Sequence, residues 1–216
     1  MLQGRKKVLD VSSGHGVLLS FLTEMGHECV ALDMFNKDKK YSEIYEKKGI
    51  EYRNCNIEID EFPCIDNSFD AVTCCQVLEH FTGTPLGTMA EIKRVLRPGG
   101  MLEIDVPNVV CFRNRSRILR GKNIAFDYKR NYLYEKPVLY KGHSFFPVRH
   151  NREFTRDELK ILLDCAKFEN ANVYFLKSRR RRIGLDRLRS LGTAVRDMVP
   201  SWRKSIIAFC YKPENA

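Results

Sequence analysis

The sequence lacks the features that would place it in a membrane or among disulfide-stabilised proteins. No apolar run in its 216 residues is long enough to cross a bilayer. Its eight cysteines include no Cys-x-x-Cys pair, so neither a zinc ribbon nor a disulfide framework is indicated, and reduced thiols are expected. Internal repeats and low-complexity tracts are also lacking. Strand-like residues begin as early as Val8, which predicts no signal peptide, and we expect a soluble, cytoplasmic protein.

Length and composition fit one medium-sized domain. Hydrophobic residues make up 44% of the chain, enough to bury a sizeable core. Residues 109–150 interrupt an otherwise regular pattern with interleaved basic and aromatic side chains, and a connection of this length is typically functional. We predict a single domain over residues 1–216, with a substrate or lid insertion at 109–150 and a basic helical insertion at 178–204 between the last two strands.

Charge is distributed unevenly between the two halves. Residues 1–108 contain 12 Lys and Arg against 17 Asp and Glu, whereas residues 109–216 contain 25 against 10. A basic second half is compatible with an anionic acceptor, with RNA, or with peripheral contact to an anionic membrane. It is equally compatible with a solvated basic face. The oligomeric state is not predicted.

Strand-like and helix-like segments alternate through the first half of the chain. Short apolar runs such as residues 7–11 and 28–33 are separated by amphipathic stretches that end at glycines. Near the end, a helix beginning with Thr155 and Glu158 at capping-box spacing precedes two further strands. This alternation predicts an α/β fold with a doubly wound parallel sheet.

A glycine-rich loop, LDVSSGHG at residues 9–16, follows the first strand and leads into a helix. Loops at such junctions approach nucleotide-like ligands. A dinucleotide site would have the spacing G-x-G-x-x-G, whereas this loop reads D-x-S-x-G-x-G. Asp10, the first residue of this D-x-S-x-G-x-G pattern, suits a cationic ligand better than a pyrophosphate. Asp33 ends the second strand, where its carboxylate can accept hydrogen bonds from ribose hydroxyls. The pair favours S-adenosylmethionine, a cationic nucleoside, over NAD.

At these residues the sequence resembles the class I S-adenosylmethionine-dependent methyltransferases. The resemblance continues through residues 62–81 (FPCIDNSFDAVTCCQVLEHF), residues 91–108 (EIKRVLRPGGMLEIDVPN) and the helix that follows Phe154. These segments cover most of the chain in the family's order. The resemblance implies a Rossmann-like fold with a mostly parallel seven-stranded sheet and an antiparallel closing strand, and S-adenosylmethionine as the cofactor.

The resemblance also implies a set of cofactor-binding residues in the loop and at the strand ends. Those expected near the methionine moiety and the ribose are Asp10, Ser12, Gly14, Gly16, Asp33, Cys75 and Gln76. Those expected around the adenine are Met34, Asn56 and Ile57. Ser12 stands where the family usually has its first loop glycine, which should narrow the loop. We expect no helix before the first strand like the one that covers the cofactor in many relatives, so the cofactor should be more exposed or covered by residues 109–150.

His80 is the candidate catalytic residue. Methyl transfer from a sulfonium is an in-line displacement, so the protein mainly aligns the acceptor with the methyl group. A general base is needed only for a weak nucleophile such as a hydroxyl. In this family the loop that carries His80 faces the transferred methyl group. A purely structural role for this residue is the alternative, and Glu79 would orient it or be solvated.

A metal site is not predicted, although part of a metal-binding motif is present. Glu79, His80 and His150 resemble part of the metal set of small-RNA 3′-terminal 2′-O-methyltransferases. Gln76 stands where those enzymes have a carboxylate, which removes a ligand that hard cations favour.

The predicted function is S-adenosylmethionine-dependent methyl transfer to a small-molecule, saccharide or lipid-linked acceptor, which we expect to occur at oxygen. The mixture of aromatic and basic side chains in residues 109–150 suits stacking and clamping of single-stranded RNA, so an RNA 2′-O-methyltransferase is an alternative. A non-catalytic cofactor-binding scaffold is a second alternative. The fold alone does not identify the acceptor.

Overall fold

The computed structural model describes residues 6–34, 39–125, 127–177 and 196–215. Its strands are β1 (Lys7–Val11), β2 (Glu28–Asp33), β3 (Glu51–Asn54), β4 (Phe69–Cys75), β5 (Leu96–Pro107), β6 (Val138–Tyr140), β7 (His143–Phe145), β8 (Glu169–Leu176) and β9 (Ser205–Tyr211). Its helices are α1 (Val17–Glu24), α2 (Lys39–Lys48), α3 (Leu86–Val95), α4 (Phe112–Leu119) and α5 (Arg156–Cys165).

Seven of these strands form one sheet in the order β3-β2-β1-β4-β5-β9-β8. The pairings among β1 to β5 are parallel, whereas β9 runs antiparallel to both β5 and β8. The central strands are almost wholly buried, as expected for a sheet covered on both faces. The predicted seven-stranded α/β sheet with one antiparallel closing strand is confirmed.

The capping box predicted for α5 is also present. The Thr155 side chain accepts a hydrogen bond of 3.2 Å from the Glu158 backbone N–H, and the Glu158 carboxylate accepts one of 2.7 Å from the Thr155 N–H. These bonds satisfy two N–H groups that have no partner within the helix. Leu159 and Leu163 on the same helix are fully buried, so this end of the chain packs on the sheet.

One boundary differs from the sequence prediction. The stretch RPGG at residues 97–100 is typical of a turn that would precede a strand from residue 101, but β5 already begins at Leu96. The Gly99 N–H donates to the Lys212 carbonyl (3.0 Å), and the Lys212 N–H donates to the Gly100 carbonyl (2.9 Å). This pairing with the segment after β9 extends the strand through the glycines, and Leu96 itself pairs with Phe69 on β4. Long-range contacts rather than local turn chemistry therefore decide where β5 begins.

Residues 109–150 contain α4, a π-helical turn at Lys129–Leu133 and the two-stranded hairpin β6–β7. The hairpin is fastened to the segment after β3, because Asp60 accepts a hydrogen bond from the Tyr140 hydroxyl (2.6 Å) and pairs with Lys141 (2.7 Å). The single-domain boundaries and the lid role of this insertion stay predictions. Most of the predicted basic insertion at 178–204 lies outside the described residues. No helix in the described part of the chain is long and apolar enough to span a membrane.

Candidate functional site

The glycine-rich loop leaves open space above Gly14. This residue has a φ of +51°, and a Cβ placed on it would meet no atom within 4 Å. Its backbone N–H donates a 2.8 Å hydrogen bond to the Asp33 carboxylate, which ties the loop after β1 to the end of β2. The loop therefore presents bare backbone beside a carboxylate, as the sequence predicts.

Tyr45 holds this loop from α2, and sequence reasoning missed it. The Tyr45 hydroxyl donates to the Gly14 carbonyl (2.8 Å) and lies 3.0 Å from the Ser13 hydroxyl. A Cβ on Gly16 would lie 2.4 Å from the Tyr45 ring, so a glycine is required there for close approach as well as for its φ of +65°. A tyrosine in the polar sequence of α2 gives no signal of this role.

Ser12 adopts a φ of 61°, a left-handed conformation that glycine adopts without strain. The loop thus keeps the backbone conformation of a glycine at this position in spite of its side chain. The sequence expectation that Ser12 takes the place of a glycine is consistent with this geometry.

A cleft of about 230 Å³ lies beside the loop. The predicted site residues that line it are Ser12, Gly14, Asp33, Met34, Asn56, Ile57, Gln76 and His80. Phe145, Phe146 and Pro147 also line the cleft, so the end of the β6–β7 hairpin supplies part of its wall. The remaining predicted residues, Asp10, Gly16 and Cys75, do not line it.

Asp10 lies beneath the loop and is only 4% exposed. Its carboxylate accepts a 2.6 Å hydrogen bond from the Thr73 hydroxyl on β4. Burial raises the pKa of Asp10 to about 7, and the negative charge of Asp33 adds to this shift. Any contact between Asp10 and a cofactor stays a prediction.

Cys75 and Gln76 occupy the end of β4. Burial raises the pKa of the Cys75 thiol far above its usual range, so this thiol is not a nucleophile at neutral pH. Gln76 has a φ of 56°, and its N–H donates a 3.0 Å hydrogen bond to the Asp105 carbonyl on β5. The strand end is thus turned sharply into the segment that carries His80.

Asn56 has an amide group that suits a nucleoside ligand. The residue is 2% exposed, and its side-chain oxygen Oδ1 accepts a 3.0 Å hydrogen bond from the Glu58 backbone N–H. Its side-chain Nδ2 is buried and has no hydrogen-bond partner among the described residues. An unsatisfied buried donor is costly, and an acceptor on a bound adenine would satisfy it. With Asp33 and the open loop, this donor makes the cleft fit S-adenosylmethionine.

His80 lies in a single helical turn, Leu78–His80, and lines the cleft. Its Nδ1 is 3.0 Å from the Arg149 carbonyl, which can only accept, so Nδ1 carries the proton and Nε2 has the lone pair. Burial lowers the pKa of His80, which keeps the imidazole neutral at pH 7. Nε2 lies 3.9 Å from the carboxylate of Glu79.

A second cavity of about 340 Å³ adjoins this turn. It is lined mainly by polar side chains, among them Arg113, Asn131, Tyr132, His150 and Arg152. His80 and His150 contact each other edge to face, with ring centroids 4.9 Å apart. The histidine pair therefore lies at the boundary between the two cavities.

The comparisons with known proteins agree with this geometry. Residues 9–104 match a family described as a methyltransferase domain. The ubiquinone biosynthesis O-methyltransferase of Paracidovorax citrulli is 33% identical over 105 residues, which are 46% of this chain and 42% of that protein. The chain spans less than half the length of the curated relatives it matches.

Solved structures share the fold across nearly the whole chain. A SAM-dependent methyltransferase from Archaeoglobus fulgidus aligns with a TM-score of 0.63 at 14% identity and covers 98% of this chain and 88% of its own. The 1,6-didemethyltoxoflavin-N1-methyltransferase of Burkholderia thailandensis, with bound S-adenosylhomocysteine, aligns at 0.57 and 20% identity, covering 98% and 73%.

Fold and matched domain together define a class. Residues 9–104 match a methyltransferase domain, and the fold is the one that SAM-dependent methyltransferases share, which supports a class I S-adenosylmethionine-dependent methyltransferase. The predicted family resemblance, fold and cofactor are confirmed. The individual contacts between residues and cofactor stay predictions.

Proposed function

We propose that this chain transfers the methyl group of S-adenosylmethionine to a hydroxyl oxygen of a small-molecule acceptor. The observation that carries the proposal is a single cleft lined both by the loop pair Gly14 and Asp33 and by the imidazole of His80. The cofactor, when bound, supplies an activated methyl carbon. The matched relatives are named as O-methyltransferases, which supports an oxygen acceptor.

The predicted cofactor residues take two kinds of role in this proposal. Direct contacts are assigned to those that line the cleft, namely Ser12, Gly14, Asp33, Met34, Asn56, Ile57 and Gln76. Support of the loop and strand ends from below is assigned to Asp10, Gly16 and Cys75. The Asp33 carboxylate accepts hydrogen bonds from ribose hydroxyls, and the Asn56 amide donates to the adenine.

His80 acts on the acceptor. A hydroxyl is a poor nucleophile until its proton is removed, and the neutral imidazole offers the Nε2 lone pair for that proton. The Nδ1 bond to the Arg149 carbonyl fixes the ring and becomes stronger when the imidazole gains charge. Glu79, 3.9 Å from Nε2, would stabilise the protonated ring.

The acceptor occupies the second cavity. Its volume of about 340 Å³ and its lining of amide, tyrosine and arginine side chains suit a polar small molecule rather than a polymer. Saccharide and lipid-linked acceptors, peripheral membrane contact and RNA stay predictions. The basic stretch on which RNA and membrane contact depend includes residues 178–195, which lie outside the described part of the chain.

The test measures S-adenosylhomocysteine release with phenols, hydroxylated sugars and short RNA as acceptors. We expect turnover with a small hydroxyl compound, and we expect His80→Ala to lower kcat by about 10² or more while S-adenosylhomocysteine still binds. His143→Ala, at an exposed position of β7, is the matched control. Turnover with RNA alone would contradict the proposal. Cofactor binding without turnover on any acceptor would favour the scaffold alternative.

A further inference from the structure

Glu79, His80 and His150 converge although they come from distant parts of the sequence. One potential ligand atom from each side chain lies within 4.8 Å of those of the other two. Nε2 of His80 is 3.9 Å from Oε1 of Glu79, and the two imidazole rings meet edge to face. Two imidazoles and one carboxylate thus surround a single point.

The Glu79 carboxylate is the unusual member of this cluster. The residue is 1% exposed, and its Oε2 atom is buried without a hydrogen-bond partner among the described residues. A buried, unpaired carboxylate oxygen is strongly unfavourable unless a cation or a donor compensates it. Among the described residues, no lysine or arginine forms an ion pair with Glu79. Nε2 of the neutral His80 imidazole lies 3.9 Å from its carboxylate.

Each histidine is oriented through Nδ1. His80 uses this atom on the Arg149 carbonyl at 3.0 Å, and His150 uses it on the Glu153 carboxylate at 3.3 Å. A carbonyl or carboxylate on one ring nitrogen fixes the tautomer and makes the other nitrogen a better metal ligand. Glu153 is itself held by the Asn114 amide at 2.7 Å. Both imidazoles therefore have the outer partners that metal-binding histidines usually have.

Backbone hydrogen bonds hold the two segments together without any ion. The Glu79 carbonyl accepts from the Asn151 N–H (2.7 Å) and the Arg152 N–H (3.2 Å). The Asn151 side chain donates to the His80 carbonyl at 2.8 Å, and the Tyr132 hydroxyl donates to the His150 carbonyl at 2.7 Å. The three side chains are thus brought together by contacts between the two segments and not by an ion.

We propose that Glu79, His80 and His150 bind one divalent transition-metal cation. Two imidazoles with one carboxylate favour Zn²⁺ or Fe²⁺ over Mg²⁺ or Ca²⁺, which prefer oxygen ligands. Ligand bonds of about 2.1 Å require ligand atoms about 3.4 Å apart, so the side chains, whose ligand atoms lie 3.9 Å apart for Glu79 and His80 and within 4.8 Å overall, must move closer on binding. Three protein ligands leave coordination positions open.

The sequence predicts no metal because Gln76 replaces a carboxylate. The cluster does not include Gln76, and a site with open positions does not require a fourth protein ligand. Its position between the two cavities would let an acceptor oxygen bind the ion, which would lower the pKa of a hydroxyl. In the metal-loaded chain the ion would then activate the acceptor, and the base role of His80 in the proposed function would apply to the metal-free chain. Metal binding itself does not depend on methyl transfer.

The test uses the full chain after dialysis against a chelator. Calorimetry with Zn²⁺ and with Mg²⁺ measures affinity and stoichiometry, and Co²⁺ gives visible absorption that reports nitrogen and oxygen coordination. We expect one Zn²⁺ per chain, bound at least about 10²-fold more tightly than Mg²⁺. His150→Ala and Glu79→Gln should each weaken Zn²⁺ binding by about 10²-fold or more and change the Co²⁺ spectrum.

His143→Ala is the matched control, because this histidine lies on exposed β7 against Phe145 and outside the cluster. It should bind Zn²⁺ like the unmodified protein. Thermal melts of every variant without metal identify any that fail to fold, and His150→Ala, at a partly exposed residue, decides the outcome if Glu79→Gln unfolds. No Zn²⁺ binding, binding unaffected by His150→Ala, or tighter binding of Mg²⁺ would each overturn the proposal.

Discussion

The backbone N–H of Gly14 donates a 2.8 Å hydrogen bond to Oδ2 of Asp33. This bond joins the turn after β1 to the end of β2, so it links the two parts of the candidate nucleoside site directly. The backbone of Asp33 is also held in place, because the Tyr52 hydroxyl donates a 2.7 Å hydrogen bond to its carbonyl oxygen. The carboxylate that the sequence assigns to ribose therefore also shapes the loop.

The first prediction concerns Asp33. Asp33→Ala should weaken S-adenosylhomocysteine binding by about 10-fold to 100-fold, the effect of losing hydrogen bonds to a charged partner. Calorimetry measures the affinity. Asp164→Ala, which removes an exposed carboxylate on α5, should leave it unchanged. Equal affinities for the two variants would remove Asp33 from the cofactor site.

The two loop glycines should respond differently to alanine. At Gly16 a methyl group would collide with the buried ring of Tyr45, so Gly16→Ala should lower the melting temperature by several degrees. At Gly14 the methyl group enters open space, so Gly14→Ala should reduce cofactor affinity more than stability. Thermal melts and calorimetry on both variants separate these effects. A larger loss of stability at Gly14 would contradict the geometry.

Local sequence signals predict most of the fold and of the cleft. The glycine loop, the acidic strand ends and the capping box at Thr155 and Glu158 act over a few residues, and the structure contains each of them. Eight predicted site residues line one cleft because parallel strands place their carboxyl ends at one edge of the sheet.

Contacts between distant segments could not be predicted in this way. Tyr45 reaches the loop from a polar helix, and Asn151 bonds to His80 across 71 residues of sequence. Pairing with Phe69 on β4 likewise moves the start of β5 to Leu96. No periodicity or residue spacing in the sequence signals these contacts, because each depends on how complete helices, strands and loops pack against one another.

A third prediction follows from the left-handed backbone of Ser12. A side chain in this conformation costs about 1 kcal/mol relative to glycine, so Ser12→Gly should raise the melting temperature by about 2 °C. Ser12→Ala retains the Cβ and should give no such gain, which makes it the matched control. Equal melting temperatures for the glycine and alanine variants would show that the backbone at this position is not strained.

The last prediction concerns Asp10 and pH. Burial raises its pKa from an ordinary value of 3.8 to about 7, so the folded protein binds this proton more tightly than the unfolded chain. The resulting stabilisation is complete below pH 3.8 and is lost as the pH rises through about 7. Asp10→Asn can keep the hydrogen bond from Thr73 but carries no charge at any pH. It should therefore remove this dependence.

The melting temperature of Asp10→Asn, relative to the unmodified protein, should accordingly rise by about 3 °C per pH unit between pH 5 and pH 7 and then level off. Thermal melts at half-unit intervals from pH 5 to pH 8.5 measure this difference. Asp164→Asn, at an exposed carboxylate of α5, provides the control and should give a nearly constant difference. If the melting-temperature difference for Asp10→Asn is also constant with pH, Asp10 has an ordinary pKa in the folded protein. Its ionisation would then not affect the stability of the protein in this pH range.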